Sequence, residues 1–533
     1  MDNFSVDEKT EDISKKFKND GTKRDDGTKE KQKGLGWFIT ALFLVSDMAG
    51  GGLVALPTAM IRSGFWTGIL LSVLMNFMFM YTSTVLGKCW VILQRRWPSS
   101  YSKQHCRQPY PEIGGRACGP KLRAAVAACI DLNQFSTTTV YLLLSAKNIH
   151  DALKAFLDLN ISFCLLLIFL VLLLLPLIFL NSPVDFWGAA VVAVCTTTIA
   201  VVLICLGTIW DFGTCSPHHS MPEFRPANYF LAVGTLLFAY GGHPAFPTVQ
   251  VDMRRPNDFH KSSVLAFAIL FVMYTPVCIL GFVAYGDSLR ESVINSLQHS
   301  WIQQMVNLLI TLHLIVTILI VNNPLNQKVE EIFRVPHEFG WKRVVVRSSM
   351  MALVLLVAET VPTFGPLLDL VGGSVLMLTS LVFPCLFFLF LNTGEQLAIE
   401  RRRMGRGPKT NGQNGQLAVV GGGYDDAGEE DEEEETGRVG WRSVVEKTDR
   451  CTLFICISII AFGCFGGIAA TFSAVRSLSY THFVPPCYLS SLFADAKKPN
   501  EGGHVNCCGH FQNISIAAST NENCSPPNIN FYD

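Results

Sequence analysis

The amino-acid sequence predicts an all-helical membrane protein that crosses the bilayer eleven times, and two observations carry this prediction. Half of the 533 residues are hydrophobic and only 16% are charged. The apolar residues also stand in long uninterrupted blocks. The block from Ser162 to Leu180 holds no charge and is long enough to cross the roughly 30 Å hydrocarbon core as a helix. The composition therefore excludes a soluble globular protein.

Eleven apolar blocks have the length of about 20 residues that a transmembrane helix needs. These blocks cover residues 36–61, 66–93, 121–151, 160–180, 184–210, 228–250, 262–285, 301–325, 343–361, 367–392 and 450–475. The first ten blocks follow one another closely and predict a helical core at 34–392. The eleventh block is set apart from this core by a long polar segment.

Three polar segments flank or interrupt the spans. Residues 1–33 are charged and lack the apolar stretch of a signal peptide. We expect them to be a disordered cytosolic N-terminus, with the first span acting as the targeting signal. Residues 393–449 include the acidic run Asp425 to Glu435 and predict a disordered cytosolic loop. Residues 476–533 form a C-terminal tail that contains cysteines.

The basic residues predict the orientation in the membrane. With eleven spans, Lys and Arg cluster in the connections on one side, whereas the opposite connections hold little more than Lys154, Arg225 and Arg290. Cytosolic connections carry the excess of basic residues in membrane proteins. The N-terminus is therefore expected in the cytosol and the C-terminus outside the cell or in a lumen.

The C-terminal tail carries features of an oxidising compartment. It contains two glycosylation sequons, which begin at Asn513 and Asn523. It also holds the disulfide candidates Cys487, Cys507, Cys508 and Cys524. A zinc site is the alternative, but adjacent cysteines without a second spaced pair make poor tetrahedral ligands. We expect disulfides and glycans on this tail, and no metal.

Two of the predicted spans contain helix-breaking residues at their centres. The first span reads AGGGLVALP from Ala49 to Pro57, and the sixth reads FAYGGHPAFP from Phe238 to Pro247. Non-helical backbone at membrane depth leaves polar groups unpaired and is tolerated only where protein or a water-filled cavity satisfies them. A single glycine cluster is often only a packing surface. Two breaks five spans apart instead indicate two inverted repeats, each opening with a discontinuous helix at the bilayer midplane.

Such a pair of breaks has a defined chemistry. Helix N-termini direct free N–H groups at an anion, and carbonyl groups at helix C-termini attract a cation or an ammonium group. An α-amino acid carries both charges on adjacent atoms. The paired breaks therefore predict a binding site for a zwitterionic amino acid.

The chain also resembles a known family, the amino acid/auxin permeases, and within it the proton-coupled and vesicular amino acid transporters. The resemblance rests on four motifs in the expected order, GGGLVALPTAMIRSG, PYPEIGGRACG, GTLLFAYGGHPAFPTVQVDM and NNPLNQKVEEIF. It implies a LeuT-like core of ten helices in a 5+5 inverted repeat, with one extra helix. It also implies amino acid transport by alternating access, coupled to protons or sodium.

The resemblance implies particular site residues. The substrate is expected at the unwound parts of the first and sixth spans, which hold Ala49, Gly50, Gly51, Gly52, Leu53, Phe238, Ala239, Tyr240 and Gly241. The sodium ligands of the sodium-coupled branch fall on Ser46 and Thr317. Thr317 matches that branch, whereas Ser46 stands where an asparagine is usual.

Proton coupling needs a group that changes its charge within the transport path. Asp47 is the first candidate because intramembrane carboxylates are costly and usually functional. His243 is the second because imidazole titrates near neutral pH and this residue adjoins the sixth-span break. Each has a structural alternative: Asp47 as half of a helix-to-helix pair, and His243 as a donor to a freed carbonyl. Asp131, His313 and Asp369 are weaker candidates, Asp369 because it lies near a span end, close to water.

These observations predict a symporter or antiporter for amino acids. The sequence lacks the polar cluster near a membrane face that an enzyme of this kind would need. A polytopic acyl or glycosyl transferase is therefore the lesser alternative. A non-transporting sensor or a channel on the same fold stays open. We expect a small neutral amino acid and the lipid bilayer as partners, with no nucleic acid and no cofactor besides the coupling ion. The plasma membrane and a lysosomal or vesicular membrane both fit, and the sequence does not indicate an oligomeric state.

Overall fold

The computed structural model describes residues 34–102, 106–157, 159, 161–179, 186–336, 340–405, 439–481, 486–489, 508–509 and 514. Over these ranges the chain forms the helices α1 Trp37–Met48, α2 Gly51–Ser63, α3 Phe65–Arg96, α4 Pro98–Tyr101, α5 Pro109–Cys118, α6 Pro120–Leu157, α7 Phe163–Ile178, α8 Phe186–Cys215, α9 Pro226–Ala239, α10 Phe246–Val251, α11 Phe259–Tyr285, α12 Ser300–Ile332, α13 Trp341–Thr360, α14 Phe364–Val371, α15 Phe383–Gly405, α16 Trp441–Lys447 and α17 Arg450–Arg476. Short 3₁₀ turns follow α8 and α11. The fold is all-helical over the described residues, as the sequence predicts.

Six helices of the described chain are long and apolar enough to cross a membrane, and the bent pair α1–α2 makes a seventh. The predicted count of eleven is therefore not confirmed by helix length and hydropathy. The physical reasons differ among the remaining helices. Helices α7 and α9 have only 16 and 14 residues, α6 carries polar residues such as Asn133 through its middle, and α13 begins with several basic residues.

Helix α2 lies at the centre of the protein, and all 13 of its residues are buried. It packs against α9, α11 and α3. A largely apolar helix that is buried on every side belongs in the core. The peripheral helices α7, α8 and α17 instead expose large apolar side chains, for example Phe169, Ile199 and Phe465. Such an apolar surface suits contact with lipid.

The tenth apolar block forms one helical rod in which two wide π-helical turns, Gly372–Leu376 and Leu378–Val382, separate α14 from α15. The wide turns lie where this rod packs on α9 and α17. A Cβ placed on Gly372 would lie 2.0 Å from the Gly234 carbonyl oxygen. Glycine at this position therefore lets two helix backbones touch.

The predicted boundaries of the polar loop at 393–449 need correction. Helix α15 continues to Gly405, and α16 occupies Trp441–Lys447. These extensions are held by ion pairs, from Glu395 to Arg95 and from Glu400 to Lys447. Hydropathy does not detect them because the helices run on into water, where their residues are polar. The acidic run and the N-terminal 33 residues lie outside the described residues, so their predicted disorder stays a prediction.

Candidate functional site

The first helix break lies between α1 and α2, whose axes meet at 61°. Only Ala49 and Gly50 stand outside the two helices. The unwound part is thus shorter than predicted, because Gly51, Gly52 and Leu53 form the first turn of α2. A helix can begin at the glycines because its first N–H groups need no intrahelical partner.

The second break is longer and lies between α9 and α10. Residues 240–245 are not helical, and turn-like hydrogen bonds such as Ala245 N–H to Gly242 C=O at 3.1 Å hold them. Tyr240 and Gly241 lie in this break as predicted, whereas Phe238 and Ala239 belong to the last turn of α9. The break also extends past the predicted residues to Ala245, since α10 begins only at Phe246.

The two breaks adjoin one another. A Cβ placed on Gly52 would lie 2.5 Å from Ala239 Cα, so the first turn of α2 touches the end of α9. A Cβ on Gly242 would lie 2.7 Å from Asp47 Oδ2, which brings the end of α1 to the second break. The structure therefore brings together the two segments that the sequence singles out.

Tyr274 on α11 joins the two breaks. Its hydroxyl group lies 2.9 Å from the Met48 carbonyl oxygen and 3.0 Å from the Ala239 carbonyl oxygen. These are the carbonyls at the C-terminal ends of α1 and α9, and the single O–H proton is shared between them. The side chain is buried. Sequence reasoning missed this residue because it stands inside a continuous apolar helix with no local signal.

Tyr141 and His313 border the first break on another side. A Cβ on Gly50 would lie 2.8 Å from His313 Nε2 and 3.3 Å from the Tyr141 hydroxyl oxygen. The Tyr141 ring also contacts Phe238 edge to face, at 6.1 Å between the ring centres. The break is thus lined by α6, α9 and α12 as well as by its own backbone.

The imidazole of His313 has a fixed orientation. Its Nδ1 lies 3.0 Å from Thr197 Oγ1 and 3.2 Å from the Ala193 carbonyl oxygen, both on α8. Its Nε2 is buried and has no hydrogen-bond partner among the described residues. A buried polar atom without a partner is unusual, and here it points at the backbone of Gly50. His313, a weaker candidate from the sequence, is therefore the histidine that faces the first break.

The two predicted proton-coupling residues have different surroundings. Asp47 is half-buried beside Gly242, and the described residues offer its carboxylate no ion pair. His243 is fully buried, with Nε2 2.9 Å from Thr82 Oγ1 on α3 and its ring packed on Phe246. Both roles stay predictions. The His243 side chain thus faces α3.

The two predicted sodium ligands are both buried. Thr317 Oγ1 donates to the His313 carbonyl of its own helix at 2.9 Å. Ser46 lies in α1, one residue before Asp47. No hydrogen bond joins these two side chains in the described chain, and a sodium site between them stays a prediction.

A buried ion pair lies near the end of α2 that is far from the breaks. Arg62 Nη1 lies 2.8 Å from Asp369 Oδ2, and Thr235 Oγ1 donates to Asp369 Oδ1. The three side chains link α2, α14 and α9. The expectation that Asp369 is close to water is wrong, since its side chain is 1% exposed. The reason is that α14 packs against α9, α17 and α6, and Arg62 of α2 reaches the carboxylate from another span.

The tail cysteines pair with helix ends. Cys487 is bonded to Cys164 at the start of α7, with 5.6 Å between the Cα atoms. Cys508 is bonded to Cys215 at the end of α8, with 5.3 Å between the Cα atoms. Cys164 is absent from the predicted set because it stands in an apolar block. Cys507, Cys524 and both sequon asparagines lie outside the described residues. No group of three potential metal ligands occurs in the described chain.

Residues 33–405 match the family described as transmembrane amino acid transporter protein. The helical fold, the paired helix breaks and this match together identify the class. The protein is an integral multi-pass membrane protein of a transporter class. The chain belongs to the transmembrane amino acid transporter family, whose members are transporters rather than enzymes. The predicted resemblance is thereby confirmed.

Several relatives from Arabidopsis thaliana are similar to the chain at low identity. Amino acid transporter AVT1B is 24% identical over 359 residues, which are 65% of this chain and 63% of AVT1B. Lysine histidine transporter-like 4 is 25% identical over 68% of this chain and 82% of its own length. Thus the chain spans less than two thirds of AVT1B. The crystal structure of MhsT in complex with L-phenylalanine aligns at a TM-score of 0.46 and 11% identity, over 83% of this chain and 99% of MhsT.

The Tyr274 contacts predict a loss of stability on substitution. Tyr274→Phe removes the donor that the buried carbonyls of Met48 and Ala239 share, and an unpaired buried polar group costs about 1–3 kcal/mol. The melting temperature of the detergent-purified variant should fall by a few degrees. Tyr488→Phe, which changes an exposed tyrosine in the tail, is the control and should leave it unchanged. Equal melting temperatures for both variants would contradict the bridging role.

Proposed function

We propose that this protein is a secondary active transporter that moves amino acids across a membrane by alternating access. The observation that carries the proposal is the meeting of the two helix breaks, with Gly52 against Ala239 and Asp47 against Gly242. Family membership and the printed names of the relatives, which are amino acid transporters, agree with it. The substrate lies where the breaks meet.

The α-carboxylate and α-ammonium groups are recognised by backbone. The N–H groups of Gly51 and Gly52 open α2 and lie at the positive end of its dipole, so they take the carboxylate. The carbonyl ends of α1 and α9, with the Tyr274 hydroxyl between them, take the ammonium group. His313 Nε2 adds a polar side-chain contact beside Gly50. This arrangement binds the part that all amino acids share.

The side-chain end of the substrate meets aromatic residues. Tyr141 and Phe238 pack edge to face next to the first break, and Tyr240 lies in the second break. Rings at these positions leave room for short side chains. We therefore propose small neutral amino acids as substrates, with selectivity set by the size of this aromatic surround.

The contacts favour coupling to a proton, with Asp47 as the residue that carries it. The carboxylate adjoins Gly242 in the second break and has no ion-pair partner among the described residues. A proton neutralises it at low cost during passage, whereas a permanent charge inside a membrane protein is expensive. If the transport test shows that sodium drives uptake instead, we expect the ion near Ser46 and Thr317.

The Arg62–Asp369 pair is proposed to hold the outer end of the site closed. It joins α2, α9 and α14, the helices that lie beyond the breaks on the side predicted to face outward. A buried pair of charges stabilises a fold only modestly, but losing one partner leaves an uncompensated charge. The pair is therefore suited to form in one conformational state and to separate into water in another.

The cystines support the proposed orientation. Cys164 starts the fourth apolar block and Cys215 ends the fifth, and with eleven spans both ends fall on the same side as the tail. Disulfides persist in an oxidising compartment. We propose a cytosolic N-terminus and an extracellular or luminal C-terminus that is glycosylated at Asn513 and Asn523, in the plasma membrane or a lysosomal or vesicular membrane.

Transport is tested by reconstitution in liposomes with a panel of labelled amino acids and an imposed pH or sodium gradient. We expect accumulation of small neutral amino acids above equilibrium under a pH gradient, and its collapse when a protonophore is added. Accumulation under a sodium gradient alone would instead assign sodium coupling. Binding without accumulation under either gradient would indicate a sensor and contradict the proposal.

Asp47→Asn tests the coupling residue separately. The amide keeps the shape of the side chain but cannot be protonated, so pH-driven accumulation should be lost while amino acid binding remains. Glu446→Gln changes an exposed carboxylate on α16 and is the matched control. Full pH-driven accumulation by the Asp47→Asn variant shows that another group carries the proton.

A further inference from the structure

A cavity of about 180 Å³ lies away from the helix breaks, between the end of α3 and the start of α11. Its polar lining residues come from α3, from α10, from the connection between α10 and α11, and from the start of α11. They are Thr84, Lys88, Arg95, Gln250, Asn257 and His260. The lining includes two cations, a histidine and several neutral hydrogen-bonding groups, and it includes no carboxylate. This chemistry suits an anion with several oxygen atoms.

The α3 side of the cavity is a stripe on one helix face. Thr84, Lys88, Val91 and Arg95 follow one another at spacings of four, three and four residues, which places them on the same side of α3. Lys88 and Arg95 are seven residues apart, about 10 Å along the helix axis. A ligand that reaches both cations therefore extends from the end of the helix into its apolar part.

Lys88 needs explanation in this position. It is exposed at the protein surface, two turns inside a membrane-spanning helix. Its Nζ lies 5.8 Å from the centre of the Phe388 ring, and the described residues offer it no carboxylate. A charged group at this depth is costly unless it is paired or reaches the headgroup region. An anion in the cavity supplies the partner.

The acidic residues nearby already have cationic partners. Asp258 lies 2.8 Å from Lys261 Nζ, outside the cavity lining. Glu395 lies 3.4 Å from Arg95 Nε, and the five N–H donors of a guanidinium allow it to bind a second anion. The connection to α11 adds the exposed Arg254 and Arg255. Basic residues therefore outnumber acidic ones around the cavity.

The cavity has a fixed floor. Gln250 Nε2 donates to the Gly87 carbonyl on α3 and to the Pro256 carbonyl before α11, both at 3.0 Å. A Cβ on Gly87 would lie 2.4 Å from Phe259 Cδ1, so α3 and α11 touch directly below. His260 Nδ1 is held at 3.0 Å from the Asn257 carbonyl oxygen. These contacts fix the shape of the floor and use both Nε2 hydrogens of Gln250 within the protein. The groups left to bind an anion are the cations Lys88 and Arg95.

We propose that this cavity binds the phosphate group of an anionic lipid headgroup. Its volume equals that of about six water molecules, which is enough for a phosphate group. The acyl chains of the lipid lie along the apolar surface of α3. A free phosphate makes no contact with that surface. Basic pockets between membrane helices on the cytosolic side bind such headgroups. The assignment to the cytosolic leaflet rests on the proposed orientation.

The bound lipid links α3 to the second broken helix. One side of the cavity is α3, and the other is the end of α10 with the connection that follows it. A headgroup that contacts both sides holds α10 in its present position against α3. Anionic lipid is therefore a regulator of the conformation seen here, independent of which amino acid is carried.

The test is lipid binding to the full-length protein purified in a detergent free of anionic lipid. Melting temperature is measured against dioctanoyl phosphatidylinositol 4-phosphate, dioctanoyl phosphatidylcholine and inorganic phosphate. We expect the first to raise the melting temperature and the other two to have no effect. Lys88→Gln should weaken the apparent affinity for the anionic lipid roughly tenfold or more, through loss of a charge-assisted contact. Arg95→Gln is a second variant, to be used if Lys88→Gln does not fold.

Lys121→Gln is the matched control, because this exposed lysine at the start of α6 does not line the cavity. It should bind the lipid as the unmodified protein does. Equal stabilisation by phosphatidylcholine, or unchanged affinity in both cavity variants, would overturn the proposal. Inorganic phosphate alone could instead raise the melting temperature in a way that Lys88→Gln abolishes. That result would show that the ligand is a free anion and not a lipid. The measurement involves no transport, so its result does not depend on the outcome of the uptake experiment.

Discussion

The contact between the end of α9 and the first turn of α2 is the interaction on which the rest of the site depends. A chain that breaks a helix inside a membrane exposes backbone groups that lipid cannot satisfy. Here each break lies against the other, and the Tyr274 hydroxyl lies between the two exposed carbonyls. The approach is possible only because Gly52 has no side chain, since any Cβ would overlap Ala239. The missing side chain of Gly52 thus allows both the close packing of the helices and the proposed binding site.

The surrounding helices make this arrangement stable. Because α2 is buried on all sides, the break that precedes it is shielded from lipid by α3, α9 and α11. At the far end of α2, Arg62 ties the same helix to Asp369. On the opposite side of the breaks, Tyr141 and His313 face the backbone of Gly50. Helix α2 therefore connects the proposed gate to the proposed substrate site within one short rigid element.

The breaks were predictable from the sequence because glycine and proline act locally. Gly50 and the Gly241–Gly242 pair interrupt apolar blocks, and two interruptions five spans apart favour discontinuous helices over packing glycines. Their limits were not predictable, because helix ends depend on packing: Gly51 and Gly52 resume a helix that their intrinsic preference disfavours. Family membership was predictable as well, from motifs spread over most of the core.

The side chains that complete the site were not predictable in the same way. Tyr274, Tyr141 and His313 stand within continuous helices, and only tertiary structure decides which face meets the breaks. Asp369 looked accessible because hydropathy locates a residue along a span but not its neighbours. Cys164 looked like an ordinary apolar position because its partner Cys487 lies 323 residues away. Each miss concerns a long-range contact that no local pattern encodes.

Binding of a labelled amino acid to the purified Gly52→Val variant tests the central claim most directly. The added side chain would collide with Ala239 and separate the two breaks, so we predict loss of binding in a protein that still elutes as a monodisperse species. Gly340→Val is the control, because a Cβ at that glycine meets no atom within 4 Å, and it should bind normally. Unchanged affinity in a well-folded Gly52→Val protein would contradict the claim that the joined breaks form the substrate site.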